Sequence, residues 1–506
     1  MGRKKRSSKA KSEPTNSEDK SDLGQSSTGE YESDLFTCEV SPIYGRFLQS
    51  RVEIKKGTII LSEKFLIAGP QRSGDVCCVG CHSNFESPQD RKSCPLCSWP
   101  ICSDACADTA FHRDECKFFV QKHVKAPTRF GNSDFGSVTV LRGLMLKYQN
   151  PEKWKVLMQL EAHNEIRKNL PLWRENVINV VDVILRDWEL REYFTPEEVH
   201  TVCGILEVNA FELGDKVSYR GIYPKAAMMA HSCLPNTTRF ENPYSGILEL
   251  RAAVDIPPGE PLTICYAFSL EATAQRRLMM SETKFFECSC KRCNDPRELG
   301  SNLGTLICQI CKVGDVINIG AVEYCQNWVC QSCGSKIPTA AIESQLLIWK
   351  EVLDRVQEIP NCEKFLQNCK ALFHPTHYIP FDVKFNLCQA YGREGTPLES
   401  LTEEDLDRKL ELCREVMKIL DIVTPGYTVT RGLVLYELQA AEVIKARRLR
   451  CKGSILRRKL QLTLKNLQEC ISILEMCHPE SIEYEISQAA KEETLVNLTK
   501  WISTLR

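Results

Sequence analysis

The sequence predicts an α+β protein: short β-rich segments stapled by clustered cysteines, followed by an all-helical C-terminal part. Three observations carry this. Strand-and-turn runs occur early, at Gly45-Arg46-Phe47-Leu48, Val52-Glu53-Ile54 and Thr58-Ile59-Ile60-Leu61, and again much later at Leu262-Thr263-Ile264-Cys265-Tyr266. Cysteines gather at metal-ligand spacings between and after them. From Ile342 onward apolar residues repeat at helical spacing: Leu346, Trp349, Leu353 and Val356; Leu406, Leu410, Cys413 and Met417; Leu460, Leu464, Leu467, Ile471 and Leu474. Pro425-Gly426 breaks the helical series.

At 506 residues the chain exceeds the roughly 250 to 300 at which a single core stops growing, so several units are expected. The 65 basic and 66 acidic residues leave a net charge of -1, which exerts no global pull on nucleic acid or anionic lipid. No apolar run nears the ~18 residues that span a bilayer, and the polar N-terminus is not a secretory signal. Residues up to about Asp34 hold almost nothing to bury; the run Arg3 to Arg6 reads equally as a nuclear address or as part of a solvated tail, so nuclear and cytoplasmic residence both fit.

Twenty-seven cysteines in a chain without an export signal argue for metal rather than disulfides. The first group is Cys78-x2-Cys81-x12-Cys94-x2-Cys97-x4-Cys102-x3-Cys106-x5-His112-x3-Cys116, eight ligands for two closed tetrahedral zinc sites, with Cys77 an alternative first ligand. The second, Cys288-x-Cys290-x2-Cys293, supplies three thiolates and needs a fourth from elsewhere. The third, Cys308-x2-Cys311-x18-Cys330-x2-Cys333, has the spacing of a zinc ribbon, with Cys325 able to substitute for one ligand. The remaining cysteines, at 38, 77, 203, 265, 325, 362, 369, 388, 413, 451, 470 and 477, read as small buried hydrophobes.

The eight-ligand segment resembles the MYND zinc finger. Together with His231-Ser232-Cys233-Leu234-Pro235-Asn236 and the strand ending in Tyr266, it makes the chain resemble the SET-and-MYND (SMYD) lysine methyltransferase family and, within it, the arthropod SmydA branch. The resemblance runs from about residue 36 to the end. It implies interleaved finger ligands, Cys78, Cys81, Cys102 and Cys106 on one zinc and Cys94, Cys97, His112 and Cys116 on the other. It also implies Cys233 as the fourth ligand beside Cys288, Cys290 and Cys293. The implied units are a tail (1–35), the first part of SET (36–76), the finger (77–116), a helical insert (117–204), core SET (205–268), a post-SET zinc site (269–296), a ribbon (297–337) and a tetratricopeptide-like helical domain (338–506).

The resemblance further implies S-adenosylmethionine as cofactor and a lysine-bearing protein as substrate, with peptide partners for the finger. Tyr44, Gly45 and Arg46 would meet the methionine end of the cofactor, Asn209 would face it, His231 would reach it by main chain with Ala230 beside it, and Phe286 would stack near its adenine. Tyr266 would face the lysine channel. Its hydroxyl can orient an amine without becoming charged. Three positions depart from the pattern: Phe47 replaces the second Gly of a Gly-x-Gly turn, Ala230 the first Asn of the knot motif, and Lys284 a second channel tyrosine, unless the register puts Phe285 there. A lysine at 284 would bring a competing cation to the channel or turn outward to solvent. Two functions follow: a protein-lysine N-methyltransferase, or a scaffold that kept the SET fold and binds protein partners, for instance in transcriptional repression. The chain is expected to be a monomer.

Overall fold

In chain order, strands β1 (Phe36–Ser41), β2 (Gly45–Ser50), β3 (Ile59–Lys64) and β4 (Ile67–Pro70) lead into the first cysteine-rich segment, which holds β5 (Lys92–Ser93), β6 (Pro100–Ile101), α1 (Asp104–Ala107) and α2 (Arg113–Lys122). A helical stretch follows: α3 (Asp134–Gln149), α4 (Pro151–Met158), α5 (Asn164–Arg167), α6 (Pro171–Asn176) and α7 (Pro196–Asn209). Strands resume with β7 (Phe211–Leu213), β8 (Tyr219–Ile222), β9 (Ala230–His231), β10 (Thr237–Asn242), β11 (Ile247–Ala252) and β12 (Thr263–Ile264), then α8 (Thr273–Thr283) and α9 (Lys291–Asn294). The small strands β13 (Leu306–Ile307), β14 (Asp315–Asn318), β15 (Trp328–Cys330) and β16 (Lys336–Ile337) precede helices α10 (Thr339–Leu353), α11 (Ile359–Cys369), α12 (Tyr378–Ala390), α13 (Glu403–Val423), α14 (Val429–Arg448), α15 (Ser454–Leu474), α16 (Ile482–Ala489) and α17 (Leu495–Thr504). The structure is a computed structural model and describes residues 33–505 apart from 72–75, 86, 110–111, 125–133, 214–218, 320–327 and 449–452. The run Arg3 to Arg6, Cys325 and Cys451 therefore lie outside the described residues.

Local chemistry accounts for the element ends. Gly45 turns the β1–β2 hairpin with φ 64°, a conformation that glycine adopts without a Cβ penalty. Helix α7 starts on a capping box: the Thr195 side chain accepts from the Glu198 N–H while Glu198 reaches back to the Thr195 N–H, with Pro196 in the first turn. The expected strand at Val52-Glu53-Ile54 is a correction. Only Ile54 pairs, in an isolated bridge to Ile256, because the Lys55–Thr58 turn takes the chain out of the sheet at once.

The sheets are assembled from distant parts of the chain. β3 pairs with β11 of the β10–β11 hairpin, β8 lies between β4 and β7, and β9 runs parallel to β12. One continuous apolar core joins these strands, the first cysteine-rich segment and α3–α7. Trp99, fully buried, stacks on Phe119 at 4.6 Å and meets Phe135 and Trp188 edge-on at 5.7 and 5.8 Å, so the cysteine-rich segment is locked into the helical stretch. β13–β16 share a second core with the C-terminal helices. Most cysteines outside the metal spacings are buried, as expected of small hydrophobes; Cys38, Cys265 and Cys477 are half-buried. No helix among the described residues is long and apolar enough to cross a membrane.

Candidate functional site

Four groups of ligand atoms gather, each with its members within 4.8 Å of one another: Cys78, Cys81, Cys102 and Cys106; Cys94, Cys97, His112 and Cys116; Cys233, Cys288, Cys290 and Cys293; and Cys308, Cys311, Cys330 and Cys333. Cys77 joins none of them and pairs by backbone with Asn84, which leaves Cys78 in the first group. The donor sets are those that hold tetrahedral zinc, and each group could hold a metal ion.

The second group shows how such a site is oriented. His112 turns Nε2 to the Cys97 sulfur at 3.4 Å and Nδ1 to the Glu115 carboxylate at 3.0 Å, and both His112 and Glu115 are buried. Arg142 of α3 donates to Glu115 at 2.7 Å, to the Val79 carbonyl at 2.8 Å and to the Ala68 carbonyl of β4 at 2.7 Å. A carboxylate behind a ligating imidazole fixes its tautomer and raises its basicity. Glu115 sits one turn from His112 on the same helix, a spacing visible in the sequence; Arg142 comes from another element and was not foreseeable there.

Around Cys233 the charges are also arranged. The Cys233 sulfur lies 3.4 Å from that of Cys293 and 3.9 Å from that of Cys288. Arg276 and Arg292, both fully buried, converge on Glu298 at 2.8 and 2.9 Å. Arg292 also donates to the Cys233 carbonyl and Arg276 approaches the Cys293 sulfur at 3.6 Å. Two guanidiniums beside four thiolates offset the excess negative charge such a set carries around a dication.

This cluster adjoins Tyr266. The Tyr266 N–H donates to His231 Nδ1 at 3.1 Å, His231 Nε2 lies 3.3 Å from the Cys233 sulfur, and the Tyr266 hydroxyl donates to the Met229 carbonyl. Phe286 closes the group, with its ring 5.7 Å from His231 and 6.3 Å, edge-on, from Tyr266. Burial pushes the Tyr266 phenol up from its ordinary value and His231 down to about 4, so both are neutral near pH 7.

Residues that the sequence reading did not single out build this geometry. The Asn236 side chain accepts from the Thr263 N–H at 2.8 Å and donates to the Pro261 carbonyl at 2.8 Å, tying the 231–236 turn to the strand before Tyr266. Glu63 of β3 accepts from the Lys225 and Ala226 N–H groups at 3.0 and 2.9 Å, capping the turn that delivers Met229. Asn236 lay inside the quoted motif, but its partner at 263 could not be read from spacing; Glu63 gave no signal.

The other expected cofactor residues lie on β9, at the β1–β2 turn and at the end of α7. Ala230 and Ser232 give their N–H groups to the β12 side, to Leu262 and Ile264 carbonyls at 3.0 Å each, so the His231 main chain faces the opposite edge. Around Gly45 a Cβ would meet no heavy atom within 4 Å, leaving open space at the hairpin turn. Tyr44 is exposed there, and Arg46 turns its guanidinium to the Gln159 carbonyl. The Asn209 amide donates to the Glu161 and Ile205 carbonyls at 2.8 and 2.9 Å.

Residues 45–267 match the SET domain family. The chain is 27% identical over 422 residues to the SET domain-containing protein SmydA-8, isoform A, of Drosophila melanogaster, covering 80% of this chain and 88% of that protein. Over most of its length the chain is similar to the SMYD family and, within it, to the SmydA branch. Other SMYD relatives match shorter stretches: mouse histone-lysine N-methyltransferase Smyd1 at 23% over 236 residues, 42% of this chain and 46% of that one, and human histone-lysine N-methyltransferase SMYD3 at 43% over 74 residues, 14% and 17%.

Of the two expectations for Lys284, the turn outward to solvent is a correction: the residue is half-buried. Its ammonium turns to the end of α7, donating to the Glu207 carbonyl at 3.2 Å and the Val208 carbonyl at 2.7 Å. Phe285, at φ 61°, packs edge-on against His163 at 5.3 Å, so Phe286 rather than Phe285 lies on the Tyr266 side.

Proposed function

We propose that this chain is an S-adenosylmethionine-dependent protein-lysine N-methyltransferase, with Tyr266 as its central residue. The observation that carries the reading is the convergence of the Tyr266 hydroxyl and the Met229 carbonyl beside the rings of His231 and Phe286. The histone-lysine N-methyltransferase names of relatives such as Smyd1 support the same reaction class. The cofactor would supply a methyl group on a sulfonium, held by the Gly45 turn, Arg46, Asn209, His231 main chain and Phe286, with Tyr44 and Ala230 alongside. Open space at Gly45 and the free edge at His231 fit such a group.

The protein's own part is alignment and desolvation. A neutral lysine amine must be lined up with the methyl, and alignment is where such a site gains most. The phenol, held protonated by burial, can accept from an amine N–H while donating to Met229. The aromatic walls exclude water from the amine. Zinc in the four ligand groups would be structural: two in a MYND finger, one behind Cys233, one in the ribbon ahead of a tetratricopeptide-like domain.

Tyr266→Phe should leave cofactor affinity within a few-fold, read by calorimetry, while transfer to lysine-bearing protein falls on the order of 100-fold. Equal transfer by this variant would remove Tyr266 from the reaction. A scaffold function is the second reading, favoured by Ala230, which lacks the amide of the family motif. It predicts no cofactor binding by the native chain and recovery in Ala230→Asn.

A further inference from the structure

Lys284 is the C-cap residue of α8, half-buried, and its ammonium lies on the carbonyls of Glu207 and Val208 in the last turn of α7. A helix ends with carbonyls that have no partner of their own, and its C-terminal end attracts a cation. Here the neighbouring carbonyls are also taken: Leu206 accepts from the Ala210 N–H, and Ile205 from the Asn209 amide. Lys284 completes the capping of α7 from another element. Beyond it the chain splits two ways, Phe285 onto His163 and Phe286 onto His231 and Tyr266. One side chain thus joins the α7 end that carries Asn209 to the strap that carries Phe286.

We infer that Lys284 is a positioning residue: its ammonium holds the end of α7 and the Phe286 strap at a fixed separation, and cofactor affinity depends on that tie. The inference rests on the proposed cofactor roles of Asn209 and Phe286.

The tie comes at a cost in stability, which separates it from a purely structural contact. Burial brings the Lys284 pKa down from its ordinary value to about 8; Glu207 and Glu212 pull the other way but do not cancel the burial. A base whose folded pKa lies below its unfolded value opposes folding while it is charged, and the opposition fades as pH rises through about 8. At pH 7 the charge is therefore retained against stability.

The test uses the zinc-loaded full chain and S-adenosylmethionine by calorimetry, comparing wild type, Lys284→Met and Lys284→Arg, with amide hydrogen exchange over residues 203–211 of the ligand-free proteins. Lys284→Met should bind about tenfold or more weakly. Its α7-end amides should exchange faster, and arginine, which can donate to the same carbonyls, should restore both. Methionine binding as tightly as lysine, or a loss that arginine leaves uncorrected, overturns the inference. Absence of cofactor binding by the wild type sinks the methyltransferase reading instead. The exchange data then decide the tie alone, and unchanged exchange in Lys284→Met overturns it.

Discussion

At the scale of single residues, polar groups fix the site more than apolar ones do. Asn236 answers two backbone groups at once, the Thr263 N–H and the Pro261 carbonyl, and also accepts from the Thr263 hydroxyl at 3.0 Å. Its loss would leave half-buried main chain unpaired next to Tyr266. Asn236→Ala should cost about 3 kcal/mol, three hydrogen bonds at about 1 kcal/mol each, read as a lower midpoint in urea. A smaller change than about 0.5 kcal/mol would mean that water replaces the amide fully. Tyr266 was legible as a candidate because it follows a strand that comes after the His231–Asn236 motif. Met229 as its acceptor was not, since a main-chain carbonyl leaves no mark in a sequence.

At the scale of elements, the metal groups differ in how they are enclosed. In the group containing His112 all four members are buried, whereas the ribbon group has Cys333 exposed and Cys311 half-buried. A chelator reaches an exposed thiolate first, so the ribbon should release its metal earliest and the His112 group last, followed with a colorimetric zinc dye. Glu115→Gln should weaken the His112 site by about tenfold to 100-fold, the usual effect of removing a partner behind a metal-bound imidazole. Unchanged release from that site would mean that the Glu115 carboxylate does not tune the imidazole. The cysteine spacings were fully visible in the chain, and so was the seat of Glu115 one helical turn from His112. That α3 supplies Arg142 to this network depends on packing across the Trp99 cluster.

At the scale of the whole molecule, the C-terminal helices meet the strands at several places, through Tyr244 and His478 and, most tightly, at Gly426. Gly426 adopts φ 84°, and a Cβ there would come within 1.9 Å of the Ala253 carbonyl. The next residue, Tyr427, donates its N–H to that same carbonyl at 2.8 Å and lies under the Lys56 ammonium at 4.1 Å. Gly426→Ala should cost about 1 to 3 kcal/mol and loosen this contact, seen as a larger radius of gyration in solution scattering. An unchanged radius and melting temperature would show that the helices are held elsewhere. The sequence by itself determined the cysteine clusters, the helical C-terminal part and the break at Pro425-Gly426, because spacing and periodicity are local properties that survive without a fold; the assignment of Cys233 and the interleaving of the first eight ligands came from the family resemblance. Only the tertiary structure decided that this break is a docking point, that Lys284 reaches a distant helix end rather than solvent, and that Asn236, Glu63 and Arg142 brace their surroundings. Each of those depends on which groups two remote segments bring together, and that is settled only when they meet.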